Sequence, residues 1–260
     1  MDLKEKLTII KVGGKIVEEE DSLRDLLHDF ALMPGKKVLV HGGGRSATRI
    51  AAQLGIETKM VNGRRITDQA MLNVVTMVYG GLVNKNIVAG LQAQGVNAMG
   101  LTGADMNVIR SVKRPVKDVD YGFVGDVEEV NASLLGDLIE KGVVPVMAPL
   151  THDGQGHILN TNADTIAGET AKALAEKFEV TLVFCFEKKG VLRDENDDDS
   201  VIAHLDRKLF SEFVATGVIQ GGMIPKLENS FAALDCGVSK VIITKASSLS
   251  KESAGTVIVR

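Results

Sequence analysis

A three-layer αβα sandwich with a mostly parallel central sheet and hairpin flaps is the fold class predicted by three features of this 260-residue sequence. Short runs rich in β-branched residues alternate with longer helical patterns, the signature of βα units. Glycines follow two of the strand-like runs, where tight βα turns are expected. No linker divides the chain, and its length is enough to bury a substantial core.

The first strand is predicted over 7–12, where LTIIKV is apolar and β-branched up to Lys11, and a helical pattern follows over 22–32. A second strand, 37–41, leads through Gly42-Gly43-Gly44 into a helix over 46–54. Residues 56–67, IETKMVNGRRIT, predict a hairpin flap, because Asn62-Gly63 supplies the positive φ angles of a type I′ turn. A long helix over 68–93 and a strand over 97–101 come next. Segments 107–130 and 149–160 predict two further hairpins, separated by a helix over 131–141 and a strand over 143–148. The remainder alternates a helix (163–177), a strand (180–186), helices over 207–216 and 224–235, and strands over 241–244 and 255–259. We expect one domain, 1–260, with two lobes sharing a sheet: about 1–155 and about 156–260.

Composition excludes several functions. A net charge of −4 with 45% apolar residues gives no electrostatic footprint for nucleic acid. Cys185 and Cys236 stand far apart in apolar runs, so neither a disulfide framework nor a zinc site is expected, and both read as buried thiols. The N-terminal MDLKEKLTIIK lacks a signal-peptide h-region, and no segment reaches the roughly 18 apolar residues that span a bilayer. A cytoplasmic protein without membrane partners is the expectation. Met33, Met71, Met77 and Met99 read as gap fillers in apolar faces. His28, His152, His157 and His204 lack ligand spacing, His41 is expected to orient the glycine loop, and no metal site is predicted.

The chemistry gathers at the glycines. In IIKVGGK and VLVHGGGRSATRIAAQLG, glycine lets backbone N–H groups approach an anion, and the second loop runs into a helix whose N-terminal dipole favours negative charge. Lys11, Gly13, Gly14, Gly43 and Gly44 fall beyond the carboxyl ends of strands, where ligands of open α/β sheets bind. Neither loop is a Walker motif. A dinucleotide fingerprint is formally present at Gly42, Gly44 and Ala47, but a hairpin segment follows in place of the required strand and acidic residue. A calcium loop in DENDDDSVIAHL fails at Asp199 and Leu205, leaving a solvated acidic loop.

Asn160, Asn162 and Asp164 stand at the entrance of a helix, where Asn162 has the chemistry of a cap. After Gly221-Gly222, Pro225 places Lys226 near another helix start. A lysine there opposes the dipole unless an anion binds at the same spot. Lys11 and Lys226 are therefore expected to face one another across a polyanion, with Asp164 between them.

KVGGK, VHGGG, NGRRITD, LNTNAD and GGMIPK occur in this order across nearly the whole chain. In these residues the sequence resembles the amino acid kinase family, and within it the arginine-biosynthetic branch that acts on an N-acylated glutamate. The resemblance implies transfer of the γ-phosphoryl of ATP to the side-chain carboxylate, giving an acyl phosphate. Magnesium would arrive on the nucleotide. A carboxylate with a pKa of about 4.3 is already a nucleophile at neutral pH, so no general base is required. The obstacle is anion repulsion, roughly 4 kcal/mol for two unit charges 4 Å apart at an effective dielectric of 20.

By the same resemblance Lys11 and Lys226 are the catalytic lysines, Asp164 organises them, and Gly14 and Gly44 offer N–H groups to the moving phosphoryl. Gly43, Gly44, Arg65 and Asn160 would bind the acylglutamate, Arg65 by a fork that suits its α-carboxylate. Lys11, Gly13, Gly14, Glu187, Gly190, Gly222, Met223 and Lys226 would bind ATP. The first lobe would carry acylglutamate and the dimer contact, the second ATP. Where the family has Asp-Val-x-Gly, this chain reads FCFEKKGVLRD, with Glu187 at the aspartate's position. Arginine-inhibited members carry an extra N-terminal helix that links dimers, for which there is no room before residue 7, so a homodimer insensitive to arginine is expected. The acyl group is acetyl or succinyl, and Arg110, Lys113 and Arg114 are candidate cations for a second carboxylate. Two other readings stay open: a nicotinamide-dependent oxidoreductase, and a non-catalytic amino-acid sensor, the latter opposed by the presence of both lysines and Asp164.

Overall fold

The computed structural model describes residues 4–61, 63–249 and 255–260. Its centre is an eight-stranded sheet in the order His204–Leu205, Thr256–Ile258, Lys240–Lys245, Glu179–Phe186, Lys6–Val12, Lys36–His41, Val144–Met147, Ala98–Leu101. All neighbours are parallel except Lys240–Lys245 with Thr256–Ile258. Lys6–Val12 lies between strands from the two halves of the chain, with Val12 level with His41 on one side and Cys185 on the other. That is a topological switch point, where the crevice beyond the strand ends opens.

Period-two alternation assigns each face. Leu7, Ile9, Val38, Val40, Leu182 and Phe184 face one core, covered by the helices Ala132–Glu140, Ala163–Leu174, Arg207–Ala215 and Met223–Asp235. Ile10, Val12, Leu39, Val183 and Cys185 face the other, covered by Glu20–Leu32, Gly44–Gln53 and the helical stretch Gln69–Gln92. The three-layer sandwich is as predicted. Because Lys11 shares the parity of Leu7 and Ile9, its side chain emerges on the first face, towards the Ala163–Leu174 helix.

The hairpins also form, with one difference. Met60–Val61 pairs with Arg64–Arg65, the central Asn62 lying outside the described residues. The other two hairpins join into one four-stranded sheet, Ile158–Asn160, Leu150–His152, Ile109–Lys113, Gly125–Val130. Isolated bridges from Thr67 to Gly122 and from Val124 to Asn160 tie the flap and this sheet together.

Four expectations require correction. Gln69–Gln92 is 24 residues long and apolar enough, by length and composition, to cross a membrane. Its Val74, Val75, Val78, Ile87 and Leu91 are buried in the second core, so that apolar character belongs to packing. The same stretch is not α-helical throughout, for Thr76–Val83 is a π-helix. Cys236 is exposed at the end of Met223–Asp235, whereas Cys185 is buried and its thiol is pushed up to about 12 by desolvation. Met77 and Met99 are exposed rather than filling gaps, although Met71 is buried.

Candidate active site

The two lysines meet. Lys11, buried at its strand end, places Nζ 2.7 Å from Asp164 Oδ1. Asp164 is the second residue of Ala163–Leu174, and Asn162 caps that helix, accepting from the N–H groups of Asp164 (2.7 Å) and Thr165 (3.3 Å). Lys226, the fourth residue of Met223–Asp235, lies with Nζ 3.7 Å from the centroid of the Phe186 ring; Lys11 Nζ is 5.3 Å from the same centroid. Burial lowers the pKa of Lys226, Asp164 raises it, and Lys11 lowers it further. Lys11, Gly13, Gly14, Gly44 and Lys226 line one cavity of about 310 Å³.

The glycine loops touch, leaving little room for a side chain at Gly42 and none at Gly43 without a shift of its neighbour. A Cβ on Gly42 would stand 3.1 Å from the N of Gly14, and one on Gly14 would stand 3.6 Å from the N atoms of Gly43 and Gly44. One on Gly43 would meet the Tyr79 ring at 2.9 Å. The backbone nitrogens of Gly14, Gly43 and Gly44 therefore lie close together where the two loops meet. Part of the positive end of Gly44–Gln53 is met by the protein itself, since Ser46 N–H donates to the Glu18 carboxylate.

A second cavity, of about 220 Å³, shares Gly44 with the first and is lined by Gly43, Arg65, Tyr79, Arg114, Asp126 and Asn160, among others. Arg65 is 8% exposed. Its Nη2 donates to the Gly44 carbonyl (2.8 Å) and Thr48 Oγ1 (2.9 Å), and its Nη1 donates to Thr58 Oγ1 (3.3 Å). Every one of these acceptors is neutral, and among the described residues no carboxylate pairs with Arg65. A buried guanidinium supported only by neutral acceptors is a strong site for an added anion. Asn160 donates through Nδ2 to Thr67 Oγ1 at 2.9 Å, which leaves its carbonyl oxygen to accept.

Beneath the loops lies a buried polar chain. His41 is fully buried, with its pKa lowered to about 4 chiefly by desolvation, and is therefore neutral at pH 7. Its Nδ1 donates to the Gly42 carbonyl at 2.7 Å, and its Nε2 accepts from Asn84 Nδ2 at 3.1 Å. Asn84 also donates to the Val146 carbonyl at 2.9 Å. The orienting role expected for His41 matches this geometry.

Several sequence candidates lie elsewhere. Gly190 is buried against Val201 and Thr256, outside the residues lining either cavity. Gly222 and Met223 open the Lys226 helix without lining either cavity, Met223 packing on the first core. Arg110 pairs with Glu128 and Glu129, and Lys113 lies over Phe123; Arg114 alone of the three lines the Arg65 cavity, paired with Asp126. The acidic loop is partly neutralised by Lys188 with Asp198 and Lys189 with Asp199. Sequence reasoning missed Phe186, the last residue of the predicted strand 180–186, and Tyr79, within the predicted helix 68–93. Burial raises the pKa of the Tyr79 phenol, while the nearby charge of Arg65 acts the other way.

A crevice at the switch point of a mostly parallel sheet, walled by glycine amides and two lysines, defines a protein built to handle phosphoryl groups. Residues 6–245 match the amino acid kinase family, and the chain belongs to it. Acetylglutamate kinase of Bacteroides thetaiotaomicron is 78% identical over 254 residues, 98% of either chain. That of Cytophaga hutchinsonii is 58% identical over 94% of this chain and 93% of its own. Among solved structures, a Streptococcus mutans protein superposes with a TM-score of 0.79 at 28% identity, covering 97% of this chain and 98% of that one.

Proposed function

We propose that this chain phosphorylates the side-chain carboxylate of N-acetyl-L-glutamate with ATP, giving the acyl phosphate in arginine biosynthesis. One observation carries the reading: a buried Arg65, with no acidic partner among the described residues, lies in a cavity that meets the two-lysine cavity at Gly44. A dicarboxylate held by Arg65 through its α-carboxylate would present the other carboxylate at Gly44, towards a phosphate chain held by Lys11 and Lys226. Asn160 would accept the N–H of the acylamido group. The attacking oxygen is already ionised, so the residues act by placement and charge neutralisation. Asp164 keeps Lys11 aimed, and the glycine amides receive the equatorial oxygens. The charged lining is Lys11, Lys15, Arg45 and Lys226 against the one carboxylate of Glu187, which fits magnesium carried by the nucleotide better than a protein-held ion.

The acyl group rests on the relatives' names and is acetyl in this reading. Arg114 in the cavity is the one observation favouring succinyl, and its pairing with Asp126 weakens it. We assign acylglutamate to the first lobe, with Asn160 reaching in from the second. We assign ATP to the second lobe, with Lys11 and the glycine loops of the first meeting its phosphates, and the cytoplasm as the location. A homodimer is supported by Met77, Leu82 and Met99, exposed on the long helix and on the edge strand Ala98–Leu101.

An ATP-dependent hydroxamate assay on acetylglutamate, succinylglutamate and free glutamate tests the reading. Acetylglutamate should turn over fastest, and Lys226→Ala should cost about a thousandfold in kcat. Equal rates on all three acceptors, or a fully active Lys226→Ala, would refute it.

A further inference from the structure

Two cations with no part in the scheme above meet over the mouth of the phosphate cavity. Lys15 is the second residue of the short helix Gly14–Glu18 that follows the first glycine loop, and Arg45 is the second residue of Gly44–Gln53 after the second loop. Each stands 3.4 Å from the Glu187 carboxylate, which follows the Glu179–Phe186 strand. All three line the same cavity as Lys11 and Lys226.

Lys11 and Lys15 differ in how they are held. Lys11 is buried and fixed to Asp164 at 2.7 Å. Lys15 and Arg45 are 40% and 63% exposed at their side chains, and Glu187 is 52% exposed. Among the described residues neither cation has another carboxylate within 4 Å. Contacts this long and this exposed contribute little, and cost little to exchange. A triphosphate brings several negative charges and many strong acceptors to the same cavity, so one carboxylate cannot retain two cations against it.

We propose that Lys15 and Arg45 are additional phosphate-contacting residues, held on Glu187 until nucleotide enters and then transferred to the polyphosphate. The inference rests on the ATP reading given above. It reverses the role expected for Glu187: the carboxylate is a competitor of the phosphates, not a ligand of the nucleotide. Freed of its partners, Glu187 turns to water at the cavity mouth, where it is already half exposed.

The test is calorimetric binding of ATP and of inorganic triphosphate to the wild type, Lys15→Met, Arg45→Met, Lys15→Arg and Glu187→Gln, beside KM values for both substrates. Each methionine variant should raise Kd for both phosphate ligands about tenfold, leave KM for the acylglutamate nearly unchanged, and flatten the salt dependence of binding. Lys15→Arg should retain binding. Glu187→Gln should tighten both ligands several-fold. Wild-type affinity in both methionine variants, or weaker binding in Glu187→Gln, overturns the inference while leaving the ATP reading intact. A wild type that binds neither ligand overturns the ATP reading and this inference with it.

Discussion

The ammonium of Lys226 stands 3.7 Å from the centroid of the Phe186 ring, close enough for the ring face to stabilise its charge. Lys11 approaches the same ring at 5.3 Å, so one aromatic side chain spaces the two cations that would otherwise only repel. Replacing Phe186 by leucine should lower kcat about tenfold while tyrosine is tolerated, since a cation–π contact in a partly desolvated site contributes about 1–2 kcal/mol. Steady-state kinetics on the two variants checks this, and equal losses in both would contradict it.

In the proposed reaction Lys226 must be protonated to neutralise phosphate. Burial lowers its pKa from 10.5, and Asp164 opposes that. Activity should therefore fall on the alkaline side as pH rises through a value below 10.5. In Asp164→Asn the supporting charge is gone, so the alkaline limb of the residual activity should move to lower pH. A limb that stays in place would separate Asp164 from Lys226.

Among the described residues Arg65 has only neutral partners, in a cavity sized for a small acid. Arg65→Met should raise KM for the acylglutamate about a hundredfold, with a much smaller effect on KM for ATP. Substrate-specific KM values decide the matter, and a loss confined to ATP would place Arg65 on the nucleotide side.

His41 links folding to pH. Its imidazole takes up a proton near 6.5 when unfolded but only near 4 when folded. The unfolded chain thus binds more protons between these values, and the stability carried by His41 is full above about 6.5 and declines as pH falls towards 4. Urea unfolding at pH 7 and pH 5 should show the wild type losing about 2 kcal/mol more than His41→Gln. Parallel losses would mean that the burial of His41 does not control its proton.

The sheet, the hairpins and the convergence of Lys11, Asp164 and Lys226 were legible because each rests on a local pattern: alternation, turn dipeptides, and polar residues at helix starts. What escaped rests on distance in sequence. Lys15 and Arg45 lie 172 and 142 residues from Glu187, and nothing in the letters pairs them. Phe186 reads as the last apolar residue of a strand, and only the arrival of two lysines gives its face a use. The junction of two hairpins into one sheet depends on how Ile109–Lys113 meets Leu150–His152, a contact between segments that periodicity treats separately. Periodicity likewise gives Met77 and Met99 an apolar face without saying whether anything covers it.

The contrast between the two thiols has a practical use. Cys236 is exposed at the far end of the helix that carries Lys226, while the other sulfur is buried and resists ionisation. A maleimide dye should therefore attach at one position without mutagenesis. Fluorescence from that dye would follow the lysine-bearing helix in real time as substrates are mixed in.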